Sequence, residues 1–180
     1  MESEQTLWEG VIRGDRKAMR MLYDCYSGYA MAICLRYLAD REAARDVLQD
    51  CFVKILTSAY QFEYRGEGSL KAWMTRIVVN QSLDYLTKSA RFSFTDEIPD
   101  EVDDDDIEVE RLPSEVLMQL IGELPEGYRT VLNLYVFEQR SHKEIARLLH
   151  IKENTSASQY LRAKKLLGEK IKDYIRKQRI

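Results

Sequence analysis

Residues 141–166, SHKEIARLLHIKENTSASQYLRAKKL, constrain this chain more than any other stretch. Ser141 followed by Glu144 is a capping box: the hydroxyl accepts a backbone N–H of the first turn, and the carboxylate reaches back to the cap residue's own N–H. A helix therefore starts here. Ile145, Ala146, Leu148 and Leu149 form an apolar stripe at helical spacing that stops at His150, Ile151 and Lys152. Ile151 reads as the plug between this helix and the next. From Glu153 onward, Asn154, Thr155, Ala157, Ser158, Gln159 and Arg162 give the second helix a small, hydrogen-bonding face, and Lys164, Lys165, Lys170 and Lys172 continue it as a basic one. Two short helices joined by a tight turn, the second polar and basic, make a helix-turn-helix whose second helix suits the major groove of DNA. A solvated amphipathic helix pair would share the charge but would need neither the capping box nor the plug.

Charge is distributed unevenly around that motif. The net charge is −3, yet residues 95–115 hold eleven acids against Arg111 alone, and residues 141–180 hold eleven bases against four acids. The tail is a cationic module and the middle an anionic tether, so the acidic overall pI is a poor guide to nucleic-acid binding. Residues 93–113 also lose all hydrophobic periodicity and carry Pro99 and Pro113 as punctuation, which predicts an extended, flexible acidic linker.

On either side of the linker the apolar positions recur at helical steps, and the 180 residues divide into two small all-α domains, 1–92 and 114–180. Leu7, Trp8 and Val11 predict a short first helix ending at Gly14. Met19, Leu22, Tyr23, Tyr26, Ala30, Ile33, Cys34 and Tyr37 predict a long one over 16–38, capped by Asp15. Asp40 opens a third, with Ala44, Val47, Leu48, Cys51, Phe52, Ile55 and Leu56 toward the core and Glu42, Asp46, Gln49 and Asp50 opposite. Two glycines and alternating aromatics then break the period in residues 60–69, predicting an irregular loop before a helix capped by Ser69 and running to about Lys88, with Leu70, Trp73, Met74, Ile77, Val78 and Leu86 toward the core.

Aromatic residues beside a basic helix are what a single-stranded nucleic-acid site requires, because bases stack on rings for roughly 1–3 kcal/mol each while cations hold the backbone. Tyr60, Phe62, Tyr64 and Arg65 in the loop, with Lys71, Trp73, Arg76 and Asn80 on the helix, are the candidates. The alternative is that Tyr60, Phe62 and Trp73 pack a small core, and for Trp73, which lies within an apolar stripe, the two readings weigh equally.

In the second domain, Val116, Leu117, Leu120, Ile121 and Leu124 form a helix ended by Pro125. Tyr128, Val131, Leu132, Tyr135 and Val136 form the next, with turns expected at Gly127 and at residues 138–140.

Other classes find little support. Cys25, Cys34 and Cys51 are odd in number, lack a C-x-x-C spacing and sit in apolar helical patterns, which reads as reduced core thiols with neither disulfide nor metal. His142 and His150 lie near no nucleophile or ligand constellation, and no glycine-rich phosphate loop is present, so no enzyme, cofactor, metal or small-molecule substrate is expected. No apolar run reaches the roughly 18–20 residues of a membrane span, and the first ten residues have no signal-peptide pattern, so a cytoplasmic protein is expected.

The order of these parts resembles the extracytoplasmic-function sigma factors, bacterial RNA polymerase initiation factors, from about residue 7 to about residue 175. The residues that carry the resemblance are Leu22, Tyr23 and Tyr26; the run Asp46-Val47-Leu48-Gln49-Asp50-Cys51-Phe52; and Arg65-Gly66-Glu67-Gly68-Ser69 followed by Ala72, Trp73, Met74, Arg76, Ile77 and Asn80. In the second half they are Leu124-Pro125-Glu126 with Arg129-Thr130-Val131-Leu132, and the helix-turn-helix itself. His150, Lys152, Asn154 and Ser156 depart from the pattern. The resemblance implies sigma domains 2 and 4 and a dissociable polymerase subunit without catalytic chemistry. It implies that Asp46, Gln49 and Asp50 bind the polymerase clamp helices, that the 60–80 loop and helix open and capture the −10 element, and that helix 153–165, with Lys165, reads the −35 element. Core RNA polymerase, promoter DNA and a membrane-bound anti-sigma factor are the implied partners. A helix-turn-helix regulator that is not a polymerase subunit, and a helical adaptor that contacts only proteins, remain as alternatives.

Overall fold

The computed structural model describes residues 3–89, 94 and 112–178, and every regular element among them is helical. The chain forms two compact units, residues 1–90 and 91–180. Most of the acidic stretch expected to be a linker lies outside the described residues.

The first unit is built from α1 (Glu4–Ile12), α2 (Arg16–Leu38), α3 (Arg41–Thr57) and α4 (Ser69–Lys88), with a 3₁₀ turn at Ala59–Gln61. Capping side chains set three of the starts: Ser3 accepts the Thr6 N–H, Asp15 that of Lys17, and Asp40 those of Glu42 and Ala43. The expected apolar stripes meet in the middle. Leu22, Ile33, Cys34 and Tyr37 of α2, Ala44, Cys51 and Ile55 of α3, and Leu70, Met74, Val78 and Leu86 of α4 are all essentially inaccessible to water. Cys34 and Cys51 lie side by side in this core, and the hydrogen bond between them, together with burial, pushes the Cys51 thiol up. Cys25 is exposed rather than in the core, because it lies on the outer side of α2.

The joint between α1 and α2 is tight. A methyl group on Gly10 would stand 2.7 Å from Cβ of Ala18, so the close approach requires glycine. Trp8, 2% exposed, fills the space between this joint and the loop ahead of α4. Its ring meets Phe62 edge-on at 5.2 Å and Trp73 at 5.5 Å, while Phe62 and Trp73 lie tilted at 5.0 Å.

The second unit consists of α5 (Ser114–Gly122), α6 (Glu126–Leu132), α7 (His142–Leu149) and α8 (Glu153–Gln178). Pro125 sets the break between α5 and α6, whereas Gly127, expected in a turn, is buried inside the first turn of α6. Arg129 clasps the same break. Its Nη1 donates to the carbonyls of Gly122 at 2.9 Å and Leu124 at 2.8 Å, satisfying oxygens left open at a helix end. Burial holds its pKa below the usual guanidinium value. The helix expected to run on through Val136 instead widens into a π-helical segment, Asn133–Phe137, the register change that π-bulges commonly provide.

The capping box at Ser141 forms as expected, with the Ser141 N–H donating to Glu144 at 2.9 Å. His150 ends α7 in the left-handed region (φ 55°, ψ 42°), the conformation for which glycine is the usual choice. α8 packs on α5, α6 and α7. Ala163 joins Ile121, Leu124 and Leu132 in the core, and Tyr160 lies against Tyr135. Lys170 of α8 pairs with Glu123 at 2.8 Å, which lowers the Glu123 pKa.

Two outcomes are expected. Trp8→Ala removes the ring on which Phe62 and Trp73 rest and costs about 3–5 kcal/mol of unit stability. Only Trp73 then remains as a tryptophan, so its fluorescence during urea unfolding reads the loss in that unit alone. In the second unit, His142 stacks on Tyr135 at 4.6 Å and its Nδ1 lies 3.0 Å from Ser156 Oγ. Burial lowers its pKa, the nearby Glu153 only partly opposing this. The unfolded chain therefore binds the proton more readily than the folded one. The stability is intact above the unfolded value of about 6.5 and falls as pH drops below it, a loss that His142→Gln removes in pH-dependent thermal unfolding.

Candidate nucleic-acid interface

Three surfaces carry the residues singled out from the sequence, two on the first unit and one on the second. On α3, Asp46, Gln49 and Asp50 are all exposed and share one face at steps of three and four. Val53 continues that face at 62% exposure. Sequence reading missed it, although its signal was there: Val53 falls outside the stripe of Val47, Leu48, Cys51, Phe52 and Ile55. An apolar side chain beside three acid and amide groups makes a stripe that a complementary helical surface can dry and pair with. Tyr23 of α2, exposed, lies against the buried Phe52 of α3 at 4.7 Å.

The second surface is the loop between the 3₁₀ turn and α4. Tyr60 is 78% exposed and accepts a hydrogen bond from the Gln61 amide. Phe62 and Trp73 are half-buried, and their ring contacts with Trp8 anchor the loop. Tyr64 is half-exposed. Its phenol is pushed up by desolvation and by the carboxylates of Glu4 and Glu67. Arg65 and Glu63 pair at 3.2 Å, both largely exposed, a contact weak enough in water to leave Arg65 open to a phosphate.

Two glycines shape this loop. Gly66 (φ 114°) and Gly68 (φ 83°) occupy backbone regions that side chains strain. Ser69 was expected to cap α4, but Gly68 holds the cap position and Ser69 is the first helical residue. Its hydroxyl instead braces the loop, donating to the Gly66 carbonyl at 2.6 Å and accepting the Arg65 N–H at 3.2 Å. Beyond the loop, Arg76 and Asn80 are exposed four residues apart on α4. Lys71 lies 4.3 Å from the centroid of Tyr29, whose hydroxyl meets Thr75 at 3.0 Å.

The third surface is the start of α8. Glu153, Asn154 and Lys165 are exposed, and Ala157 and Arg162 half-exposed, with Arg162 Nη1 3.4 Å from the Tyr128 hydroxyl. Thr155, Ser158 and Gln159, also expected on this face, are buried, with Gln159 at 0% and Ser158 at 3% exposure. Polarity was a poor index of exposure here. A hydroxyl can satisfy itself on its own helix, as Ser158 Oγ does on the Thr155 carbonyl at 3.0 Å, so small polar side chains enter an interior at low cost. Sequence reading placed Trp8 in the stripe of α1 but missed that Glu4 and Trp8 touch the loop, because contacts from more than fifty residues away leave no trace in local periodicity.

None of these surfaces gathers a nucleophile, base and orienting group, and no cluster of His, Cys, Asp or Glu fit for a metal occurs among the described residues. No helix among them is long and apolar enough to cross a membrane.

The chain matches two family models, Sigma-70 region 2 over residues 22–92 and Sigma-70 region 4 over residues 114–167. These ranges contain the α3 face, the loop with α4, and the start of α8. The chain is 31% identical to the ECF RNA polymerase sigma-E factor of Haemophilus influenzae, with 94% of this chain and 95% of that one covered. It is 27% identical to the RNA polymerase sigma-H factor of Pseudomonas aeruginosa and to the ECF RNA polymerase sigma-E factor of Escherichia coli, with 97% of each chain covered in both cases. Among solved structures, CnrH in complex with the cytosolic domain of CnrY shares the fold, with a TM-score of 0.50, 23% identity, and 96% of this chain and 99% of that one covered. With both regions in order and relatives matched along nearly all its length, the chain belongs to the ECF RNA polymerase sigma factors, non-enzymatic subunits that act in transcription initiation.

Proposed function

We propose that this sigma factor divides promoter recognition between its two units, residues 1–92 acting on the −10 element and residues 114–180 on the −35 element, with the acidic residues 93–113 as the tether. The observation that carries the reading is the pairing, in one unit, of an exposed acidic and apolar helix face with a glycine-shaped loop bearing Tyr60, Tyr64 and Arg65.

In this reading Asp46, Gln49 and Asp50, joined by Val53, bind the clamp helices of core RNA polymerase. Tyr60 and Tyr64 offer rings to bases, Arg65, Lys71 and Arg76 hold phosphates, and Asn80 contributes a side-chain amide. Phe62 and Trp73 act chiefly by holding the loop in shape. Flipping a base out of the duplex costs a few kcal/mol, an amount that stacking on one or two rings offsets, so binding energy alone drives melting.

On the second unit, Glu153, Asn154, Ala157, Arg162 and Lys165 face the −35 duplex. Thr155, Ser158 and Gln159 support that face from beneath, since all three are buried. A membrane-bound anti-sigma factor completes the set of expected partners. CnrH, solved with the cytosolic domain of CnrY, is a case of this fold holding a second chain.

Run-off transcription with core polymerase tests the whole reading. A promoter-specific transcript that depends on this chain is expected. Its absence from every cognate promoter, together with no binding to core, overturns the reading, and tight binding to duplex DNA without polymerase would favour an independent regulator. Two variants separate the parts. Asp50→Lys sets like charge against a basic partner surface and lowers core affinity by about tenfold or more, with DNA contacts untouched. Lys165→Ala, as a phosphate contact, weakens −35 duplex binding by the holoenzyme uniformly across sequences and lowers the salt dependence by about one unit of slope.

A further inference from the structure

The first turn of α1 reaches across the unit to the loop on which −10 capture is proposed to depend. The carboxylate of Glu4 is shared between two donors: Oε2 accepts the backbone N–H of Gly68 at 2.8 Å, and Oε1 accepts the Tyr26 hydroxyl at 3.1 Å. The Tyr26 phenol is pushed up to about 12, by burial first and then by the charge and hydrogen bond of Glu4. It therefore remains a donor at any physiological pH. Gly68 is the N-terminal cap of α4, in the left-handed region, so its N–H is one that α4 itself leaves without a helical partner.

Four residues after Glu4, and so on the same face of α1, Trp8 holds Phe62. One helix face thus grips both ends of the 62–68 loop, Phe62 by its ring and Gly68 by its amide. The turn braced by Ser69 lies between these two anchors. Residues held at both ends lose their conformational entropy on folding rather than on meeting DNA.

We propose that Glu4 is a positioning residue for promoter melting, fixing the 62–68 loop in its capture-ready shape through the Gly68 amide. The inference rests on the assignment of that loop to the −10 element. A purely structural role for Glu4, as a distant cap of α4, would move fold stability and core binding together and leave the rate of opening unchanged at equal occupancy.

The test uses holoenzyme assembled from the full chain and a duplex promoter carrying 2-aminopurine in its −10 region. At saturating core, Glu4→Ala should slow opening about tenfold, the scale set by a hydrogen bond to a charged group, with core affinity unchanged. Glu4→Gln keeps one acceptor oxygen for the Gly68 N–H and should recover to within about threefold of the parent rate. Tyr26→Phe, which removes only the second donor, should behave likewise. Amide exchange of the free chain supplies a readout independent of DNA: protection of the Gly68 N–H is lost in Glu4→Ala and kept in Glu4→Gln.

Opening by Glu4→Ala at the parent rate overturns the proposal. So does a Glu4→Gln variant as slow as Glu4→Ala while Gly68 stays protected, since charge rather than positioning would then be at work. If the parent holoenzyme itself opens no promoter, the assignment of the loop has failed, and that result is distinct from either variant outcome.

Discussion

The packing of Trp8 against Phe62 and Trp73 is the contact on which the first unit's surface depends. An indole buried to 2% exposure and met edge-on by two other rings ties α1 to the loop through Phe62 and to α4 through Trp73. Edge-to-face aromatic contacts carry a directional preference beyond the area they bury, which makes such a cluster a better reference point than an aliphatic one. Phe62 and Trp73 are thereby committed to the protein, and Tyr60 and Tyr64 are left at the surface. The division of labour between rings that hold the loop and rings that face outward follows from which of them Trp8 can reach.

The second unit solves a related problem with different means. Three of its helices, α5, α6 and α7, have only two or three turns each, so little stability comes from them alone. α8 supplies the missing surface by packing on all three. Local devices fix the joints: Arg129 on the carbonyls ahead of α6, the capping box at Ser141, and a left-handed His150 between the helices of the motif. Each satisfies backbone groups that a short helix would otherwise leave open. The cost is that α8 must serve as both core element and outer face, and its opening turns show it, with Thr155, Ser158 and Gln159 inside and Asn154 and Lys165 outside.

Among the described residues, both units carry their exposed polar and aromatic groups on helix faces or braced loops. That suits a sigma factor, a polymerase subunit that acts by binding. In such a molecule the rigidity of a loop matters as much as its contacts, because every residue ordered before the encounter saves entropy that binding would otherwise have to offset.

The sequence by itself determined the helices and their order, because apolar periodicity and capping side chains are local signals. Asp15, Asp40 and Ser141 stand where their helices begin, and the stripes of α2, α3 and α4 predicted the core residues that the fold buries. Tyr23, in the expected α2 stripe, is exposed instead, its ring resting on Phe52 at the rim of the core. The sequence also placed the acidic face of α3, since a polar stripe opposite a core stripe is exposed by geometry. What it could not supply was anything that depends on which helices touch. Ser69 lost the cap position to Gly68 because the loop's positive φ angles, not the hydroxyl, set where α4 starts. Gln159 and Ser158 went inside because burial depends on neighbours and on self-satisfied hydrogen bonds, neither of which polarity records. Glu4 found Gly68, sixty-four residues away, only because α1 folds back along α4's entry, and a contact across that distance is decided by tertiary packing rather than by local pattern.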